Sequence, residues 1–226
     1  MYENIKKGIF LNRPNRFIAD VLIEGKKERV HVKNTGRCRE LLLPGAEIYL
    51  QESNSPNRKT RFDLITVNKN GRLVNMDSQA PNKAVMEWLK EGSVITPDFV
   101  KPEYTYKNSR FDFYFERGEE KGFIEVKGVT LENDGVVSFP DAPTERGTKH
   151  LKELIKAAAE GYSAWVFFVI QMKGVKYFMP NFENDRVFSE TLGEAAEKGV
   201  NILAYDCCVS PEKMKIEDRV EVILRR

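Results

Sequence analysis

Two neighbouring stretches decide the fold of this chain: Ser109-Arg110-Phe111-Asp112-Phe113-Tyr114-Phe115 and Phe123-Ile124-Glu125-Val126-Lys127-Gly128. Alternate side chains of a strand share a face, so Glu125 and Lys127 project together and Asp112 separates from its two phenylalanine neighbours. The polar, glycine-containing segment between the stretches predicts a turn. We therefore expect an antiparallel hairpin that carries Asp112, Glu125 and Lys127 on one face.

Two carboxylates and a lysine on such a hairpin indicate metal-assisted chemistry. Neighbouring carboxylates repel each other unless a cation lies between them, and oxygen ligands suit a hard ion such as Mg²⁺ or Mn²⁺. A lysine beside that ion can orient or deprotonate water, or stabilise charge on a phosphate. The three residue types together therefore fit metal-assisted phosphodiester hydrolysis.

Other interpretations of the hairpin are weaker. A two-carboxylate glycosidase has no need of Lys127 and normally has an aromatic sugar platform. A lone Glu-x-Lys is also common as a cross-strand ion pair at a solvated sheet edge. Serine and cysteine hydrolases are excluded, because the chain has no nucleophile elbow and its only histidines are His31 and His150.

Composition predicts an ordered globular protein. The chain has 226 residues, of which 41% are hydrophobic and 11% aromatic, enough for one large or two modest domains. No apolar run approaches the ~20 residues needed to cross a bilayer, and the N-terminus has no signal-peptide pattern, which predicts a cytosolic protein without membrane contact. Three cysteines without metal-type spacing suggest neither a disulfide framework nor a zinc site.

Charge divides unevenly along the chain. Residues 1–80 carry 15 Lys and Arg against 9 Asp and Glu, a net charge of +6, whereas residues 81–226 carry 21 against 25, a net charge of −4. A polyanion-binding module joined to a metal-binding module has this asymmetry, and so does chance variation on solvated faces. We place the domain boundary at the short polar segment Ser78-Gln79-Ala80-Pro81, which predicts domains 1–80 and 81–226.

The first 80 residues contain short strand patterns separated by turn signals. Five strands in so few residues predict a small barrel, and the OB-fold is the five-stranded barrel that commonly binds oligonucleotides. The predicted strands are Arg16 to Glu24, Glu28 to Val32, Ala46 to Gln51, Phe62 to Val67 and Leu73 to Met76.

The loop after the second predicted strand, Lys33 to Glu40, combines three cations with small polar residues and a glycine. Glycine lets a backbone approach phosphate closely, and Lys33, Arg37 and Arg39 can neutralise its charge. The alternative is an ordinary solvated loop.

The remaining chain predicts a mixed α/β domain. Asn82 is a candidate N-cap of a first helix, and Gly135 to Pro140 is a candidate third strand beside the hairpin. A helix from Thr144 to Glu160 precedes a nearly continuous apolar strand, Ala164 to Ile170, which is typical of a strand buried on both faces. Further elements follow: strands at Val175 to Met179 and Ile202 to Asp206, and a helix from Asp185 to Lys198.

These elements and motifs resemble a known nuclease superfamily and, more narrowly, one protein family. The order of a helix with Glu87, a strand with Asp112, a strand with Glu125-Val126-Lys127 and a further helix resembles the PD-(D/E)xK nucleases. Motifs along nearly the whole chain resemble the sugar fermentation stimulation protein A family. They are Asn34-Thr35-Gly36-Arg37, Ser109-Arg110-Phe111-Asp112-Phe113, Ile124-Glu125-Val126-Lys127-Gly128-Val129-Thr130-Leu131, Phe139-Pro140-Asp141-Ala142, Thr144-Glu145-Arg146-Gly147, Lys149-His150-Leu151 and Ala159-Glu160-Gly161.

The resemblance implies an OB-like barrel, a restriction-endonuclease-like domain, sequence-independent DNA binding and a regulatory role in sugar, notably maltose, utilisation. By position, Asp112 and Glu125 correspond to metal ligands, Lys127 to the catalytic lysine, and Glu87 to the acidic residue of the first helix. Phe111 stands where the superfamily name has proline, at a variable position. Glu87 is less secure, because its helical phase points it away from the apolar stripe of its helix.

The helix after Thr144 contributes a second candidate DNA contact. Arg146 and His150 are four residues apart and share a face. Beside the nuclease-like motif, we expect Arg146, Lys149 and His150 to face nucleic-acid phosphates, with surface pairs along the helix as the alternative. The sequence thus predicts a protein that binds single- or double-stranded DNA and has a Mg²⁺- or Mn²⁺-dependent nuclease site. The alternative is a non-catalytic DNA-binding regulator that retains the fold.

Overall fold

The computed structural model describes residues 1–34, 36–53, 58–92 and 94–224 and places them in an all-β domain followed by an α/β domain. The strands of the first domain are β1 (Ile5–Asn15), β2 (Ile18–Ile23), β3 (Lys26–Val32), β4 (Glu47–Glu52), β5 (Phe62–Lys69) and β6 (Arg72–Asn75). The helices of the second are α1 (Ala80–Lys90), α2 (Glu145–Ala159) and α3 (Arg186–Glu197). Its strands are β7 (Phe99–Tyr106), β8 (Ser109–Arg117), β9 (Glu120–Val129), β10 (Glu132–Asn133), β11 (Val136–Phe139), β12 (Ser163–Ile170), β13 (Tyr177–Pro180), β14 (Asn201–Val209), β15 (Met214–Arg219) and β16 (Glu221–Val222). Within the described ranges, every helix is too short or too polar to span a bilayer.

The first domain is an OB barrel closed by five strands. Hydrogen bonds join the strands in the order β3-β2-β1-β4-β5, and β5 returns to β3 through the parallel pairs His31↔Asp63 and Val32↔Leu64. The five-stranded barrel is therefore confirmed, but its membership differs from the prediction. The sequence pattern misses β1, which is irregularly buried and contains Pro14, and it counts β6, which lies outside the closed ring beside β5.

The second domain is built on a six-stranded mixed sheet in the order β15-β14-β12-β9-β8-β7. The central strands β9, β12 and β14 are parallel, as the buried apolar run of β12 predicts, and the outer pairs are antiparallel. Val85 and Leu89 of α1 pack with Phe167 on one face of the sheet. Leu151 of α2 and Phe188 of α3 belong to the core on the other face.

Two predictions about this domain are wrong, and two of its strands were missed. The candidate strand at 135–140 forms β11, which pairs with β10 and β13 in a separate small sheet rather than with the hairpin. The edge strands β7 and β15 were not predicted, because polar and charged side chains interrupt their apolar pattern. Helix α1 begins at Ala80 with Gln79 at the N-cap position, so Asn82 lies inside the helix and does not cap it.

A buried hydrogen-bond network joins the two domains. Gln171, which follows β12, donates from Nε2 to the backbone oxygens of Asn75 at 3.0 Å and Asp77 at 3.2 Å. The backbone carbonyl of Gln171 in turn accepts the backbone N–H of Asn75. Tyr2 accepts from the Asn75 amide and donates to the Asp77 carboxylate. All four residues are buried. Because an unsatisfied buried polar group is costly, the network favours one fixed arrangement of barrel and sheet.

Asp63 is the centre of an ionic cluster in the barrel and provides a test of acid stability. Its carboxylate contacts Arg58 at 2.5 Å, His31 at 3.0 Å and Lys33 at 3.2 Å. Burial alone raises the pKa of Asp63, but Arg58, Lys33 and His31 outweigh it and lower the pKa to about 2. Because the folded pKa lies below the unfolded value of about 3.9, the cluster stabilises the fold above that value, and the stabilisation is lost as the pH falls towards 2.

We expect Asp63→Asn to lower the free energy of unfolding by about 2 kcal/mol at pH 7, with the difference from the unchanged protein shrinking between about pH 4 and pH 2. Urea titrations at several pH values measure this difference. Asp134→Asn is the matched control, because Asp134 is exposed and its φ of 50° suits asparagine equally well. A destabilisation by Asp63→Asn that stays constant down to pH 2 would contradict the assignment.

Candidate active site

The hairpin β8–β9 opens at the predicted site. Regular pairing runs from Arg117↔Glu120 to Phe113↔Ile124 and stops there. Beyond that pair the Asp112 carboxylate, through Oδ2, accepts the backbone N–H of Val126 at 2.7 Å. A side chain thus replaces the backbone acceptor. The predicted hairpin and turn are confirmed, and the site lies where the two strands separate.

Strand alternation also breaks at Asp112. Phe113 packs in the core on the α1 side of the sheet, whereas Phe111 packs in the core on the α2 side with Phe123. A regular strand would place the two phenylalanines on the same face. The change of face at this point turns the strand and leaves Asp112 at the opening of the hairpin.

Asp112 is held from two sides. Besides the Val126 N–H, it accepts the Asn82 side-chain amide of α1 at 2.8 Å. Burial, and next the negative charge of Glu125, raise the pKa of Asp112. Because Asp112 accepts the N–H of Val126, the residue that follows Glu125, it lies beside the segment that carries the second carboxylate.

Glu125 is the most enclosed group of the site, with 3% of its surface exposed. Its Oε1 accepts from Lys127 Nζ at 2.6 Å and from His150 Nδ1. Burial alone would raise the pKa of Glu125, but the Lys127 ammonium and then His150 lower it, so the carboxylate is ionised. Its Oε2 is buried and has no hydrogen-bond partner.

This donor set fits a divalent cation. A buried carboxylate oxygen without a partner is unfavourable in a folded protein unless a ligand satisfies it. The free Oε2 of Glu125 and the neighbouring Asp112 offer oxygen ligands only, which Mg²⁺ and Mn²⁺ prefer. Lys127 Nζ lies 2.6 Å from the other oxygen of the Glu125 carboxylate, and 13% of the Lys127 side chain is exposed.

The predicted patch on α2 divides between two environments. Thr144 caps the helix by accepting the Gly147 N–H at 3.0 Å, which confirms the predicted helix start. His150 is buried against Glu125, while Arg146 and Lys149 are exposed. These three residues nevertheless line one hollow of about 540 Å³. His150 therefore belongs to the carboxylate site, a role that the helical spacing alone does not indicate.

Glu87 lies apart from this constellation. It is exposed on α1, a helix that packs against β15, and its charge acts on Lys215 of that strand. Among the described residues, Glu87 does not come together with Asp112 and Glu125 as a group of potential metal ligands. Asn82, one and a half turns earlier on the helix, makes the α1 contact with Asp112 instead.

A basic cleft of about 710 Å³ lies between the barrel and the α/β domain. Its barrel wall carries Arg13, Arg16, Arg37 and Arg39, and the opposite wall includes Gly128, which directly follows Lys127. Gly128 is required there, because a Cβ would lie 2.5 Å from Gln171 Oε1. The cleft therefore meets β9, the strand that carries Glu125 and Lys127, at the domain junction.

The predicted phosphate-binding loop is only partly directed at this cleft. Arg37 and Arg39 line it and are exposed. Lys33 instead forms ion pairs with Asp63 at 3.2 Å and Asp77 at 3.7 Å, so its charge is already neutralised within the barrel. The sequence pattern could not separate the three cations, because their carboxylate partners come from distant strands. The motif residue Thr35 lies outside the described residues.

Arg13 connects two segments of the cleft wall, a role that no sequence pattern predicted. Its guanidinium donates to the backbone oxygens of Gly36 at 2.9 Å, Arg37 at 2.9 Å, Asn34 at 2.6 Å and Arg16 at 2.6 Å. One planar side chain thus fixes both segments that carry the exposed arginines. Position 13 stands beside Pro14 in the unpredicted strand β1, and no pattern marks it.

The fold and the site together define a class: an OB barrel joined to a mixed-sheet α/β domain with two carboxylates and a lysine at the opening of a hairpin. A family model described as "SfsA N-terminal OB domain" matches residues 11–76. A second, described as "Sugar fermentation stimulation protein RE domain", matches residues 79–213. The chain belongs to the sugar fermentation stimulation protein family.

Relatives match over almost the full length. Proteins named "Sugar fermentation stimulation protein homolog" from Ruminiclostridium cellulolyticum and Clostridium beijerinckii are each 58% identical over 224 residues, covering 99% of both chains. A solved structure described as Pyrococcus furiosus SfsA in complex with Ca²⁺ is 29% identical, with a TM-score of 0.89, covering 99% of this chain and 98% of that one. The predicted family is confirmed.

Proposed function

We propose that the protein binds DNA with little dependence on base sequence and cleaves it at a Mg²⁺- or Mn²⁺-dependent phosphodiesterase site. The observation that carries this proposal is the buried, unpartnered Oε2 of Glu125 beside Asp112 and Lys127. The relative from Pyrococcus furiosus, described in complex with Ca²⁺, supports a divalent-cation site in this fold. The arginine-lined cleft supports binding through phosphates rather than base edges.

Each side chain has a distinct task in this mechanism. Asp112 and Glu125 would hold the metal ion, which when bound supplies Lewis-acid activation of water and of the phosphate. Asn82 and the Val126 N–H orient Asp112, and His150 and Lys127 hold Oε1 of Glu125, which leaves Oε2 free to act as a ligand. Lys127 also places positive charge where a phosphate gains negative charge.

The second candidate is a DNA-binding regulator of sugar, notably maltose, utilisation that retains a nuclease-like fold without cleavage. The name shared by the curated relatives, which refers to stimulation of sugar fermentation, favours it. Fold alone does not distinguish the two functions, because inactive relatives keep the architecture of enzymes.

One comparison separates the two candidates. Purified protein is incubated with single- and double-stranded DNA in Mg²⁺, Mn²⁺ or EDTA, beside Asp112→Asn and Lys127→Ala. We expect cleavage with metal, none in EDTA, and a loss of at least about a hundredfold in both variants. Cleavage that persists in both variants would place the chemistry elsewhere. Intact binding without any cleavage by the unchanged protein would establish the regulator.

A further inference from the structure

We infer that the substrate is single-stranded nucleic acid and that Phe17, beside Arg16 of the arginine-lined cleft, is the surface on which one of its bases stacks. The inference rests on the proposed DNA binding and adds the form of the substrate and the residue that selects it. Aromatic side chains beside a basic groove are the usual means by which proteins hold single strands, because every base has a π-face and every nucleotide a phosphate.

Phe17 has the exposure that such a platform needs. Its side chain is 49% exposed, although burial of a phenylalanine is normally favourable. The backbone around it is fixed, since Asn15 Oδ1 accepts the Phe17 N–H at 2.9 Å and the Phe17 carbonyl accepts the Val32 N–H at 2.8 Å. A rigid turn between β1 and β2 therefore presents the ring to solvent.

Positive charge lies beside this ring. The guanidinium carbon of Arg16 is 5.8 Å from the Phe17 ring centroid, within cation–π range. Arg16 and Asn15, on the same turn, both line the cleft. A nucleotide whose base lies on Phe17 can thus reach Arg16 with its phosphate, and the adjoining phosphates can follow Arg37 and Arg39 along the barrel wall.

The cleft reaches the strand that carries the proposed chemistry. The wall opposite the arginines contains residues 128–131, the direct continuation of the segment with Glu125 and Lys127. Among the described residues that line the cleft, the only carboxylate is Asp141, one Oδ of which accepts the Arg37 N–H. The charge of the cleft is therefore positive overall, as a phosphate backbone requires.

The size of the cleft suits a short run of nucleotides. Its volume of about 710 Å³ lies within the range of pockets that hold small ligands. Gln171 lines the cleft, and its buried hydrogen bonds with Asn75 and Asp77 connect the two domains there. The exposed ring of Phe17 can stack only on a base that is not already stacked within a duplex, which favours a single strand.

Fluorescence anisotropy in EDTA tests the inference on the full chain. The ligands are a labelled oligothymidine of about 12 nucleotides and a duplex of the same length. We expect the single strand to bind more tightly, Phe17→Ala to weaken it by about 5- to 100-fold, and Phe17→Tyr to restore it. Phe99→Ala is the matched control, because Phe99 is 50% exposed on the edge strand β7.

The outcomes separate this inference from the proposed function. Tighter binding of the duplex would overturn the single-strand inference and leave DNA binding standing. Equal effects of Phe17→Ala and Phe99→Ala would overturn the role of Phe17. Failure of the unchanged protein to bind either ligand would overturn the proposed DNA binding and the inference together.

Discussion

Replacing Glu125 by glutamine is expected to lower metal-dependent cleavage by about a hundredfold to a thousandfold and to abolish any rise in melting temperature on addition of Mn²⁺. The substitution preserves shape but removes the negative charge from a buried carboxylate oxygen that has no hydrogen-bond partner. A neutral amide is a poor ligand for a hard divalent ion, and it also deprives Lys127 of its counter-charge.

Differential scanning fluorimetry and a cleavage assay, each with and without Mn²⁺, measure the two effects. A ligand at about 100 times its dissociation constant stabilises the fold by about 2.7 kcal/mol, which corresponds to several degrees for a chain of this size. Glu119→Gln is the control, because Glu119 is an exposed carboxylate in the turn at the far end of the same hairpin. Retention of the full Mn²⁺ response by Glu125→Gln would mean that the ion binds elsewhere.

The double substitution Arg37→Gln and Arg39→Gln should weaken DNA binding at low salt by at least about tenfold. Both guanidinium groups are exposed in the cleft and form no ion pair within the described residues. Each phosphate that is no longer neutralised by an arginine keeps its counterions on binding. With two phosphates affected, the slope of log affinity against log salt concentration should decrease in magnitude by about 2. Lys33 is left unchanged, because its removal would disturb Asp63 and Asp77 in the barrel.

Titrations at several salt concentrations measure this slope. The control is the double substitution Lys26→Gln and Lys121→Gln, which changes the net charge by the same amount. Both lysines are exposed at strand ends and do not line the cleft. An unchanged slope in the variant without Arg37 and Arg39 would mean that DNA does not bind in the cleft. Equal losses in both variants would indicate attraction by overall charge alone.

Local patterns predicted those parts of the molecule that depend on neighbouring residues. The hairpin followed from strand alternation and one turn, and α2 and α3 followed from their apolar stripes. The apolar run of β12 correctly indicated a strand buried on both faces. In each case the determining contacts lie within one element or between adjacent ones.

The remaining features depend on contacts between distant segments. The pairing of Lys33 with Asp63 and Asp77 decides that it does not face the cleft, and the contact of His150 with Glu125 decides that it does not face solvent. Likewise, Asn82 rather than Glu87 reaches Asp112, because that face of α1 lies against the hairpin. No single-sequence pattern specifies these partners, since each depends on how the elements pack.

The contacts around Gln171 have a practical consequence for assigning activities to the two halves of the chain. Severing the polypeptide near residue 78 would separate Asn75 and Asp77 from Gln171 and expose the end of β12 in the other fragment. Each isolated fragment would then expose a surface that is buried in the intact protein and lose the hydrogen bonds made across it, so a loss of activity would report damage rather than location. Point substitutions in the intact protein are therefore the sound way to divide binding from cleavage.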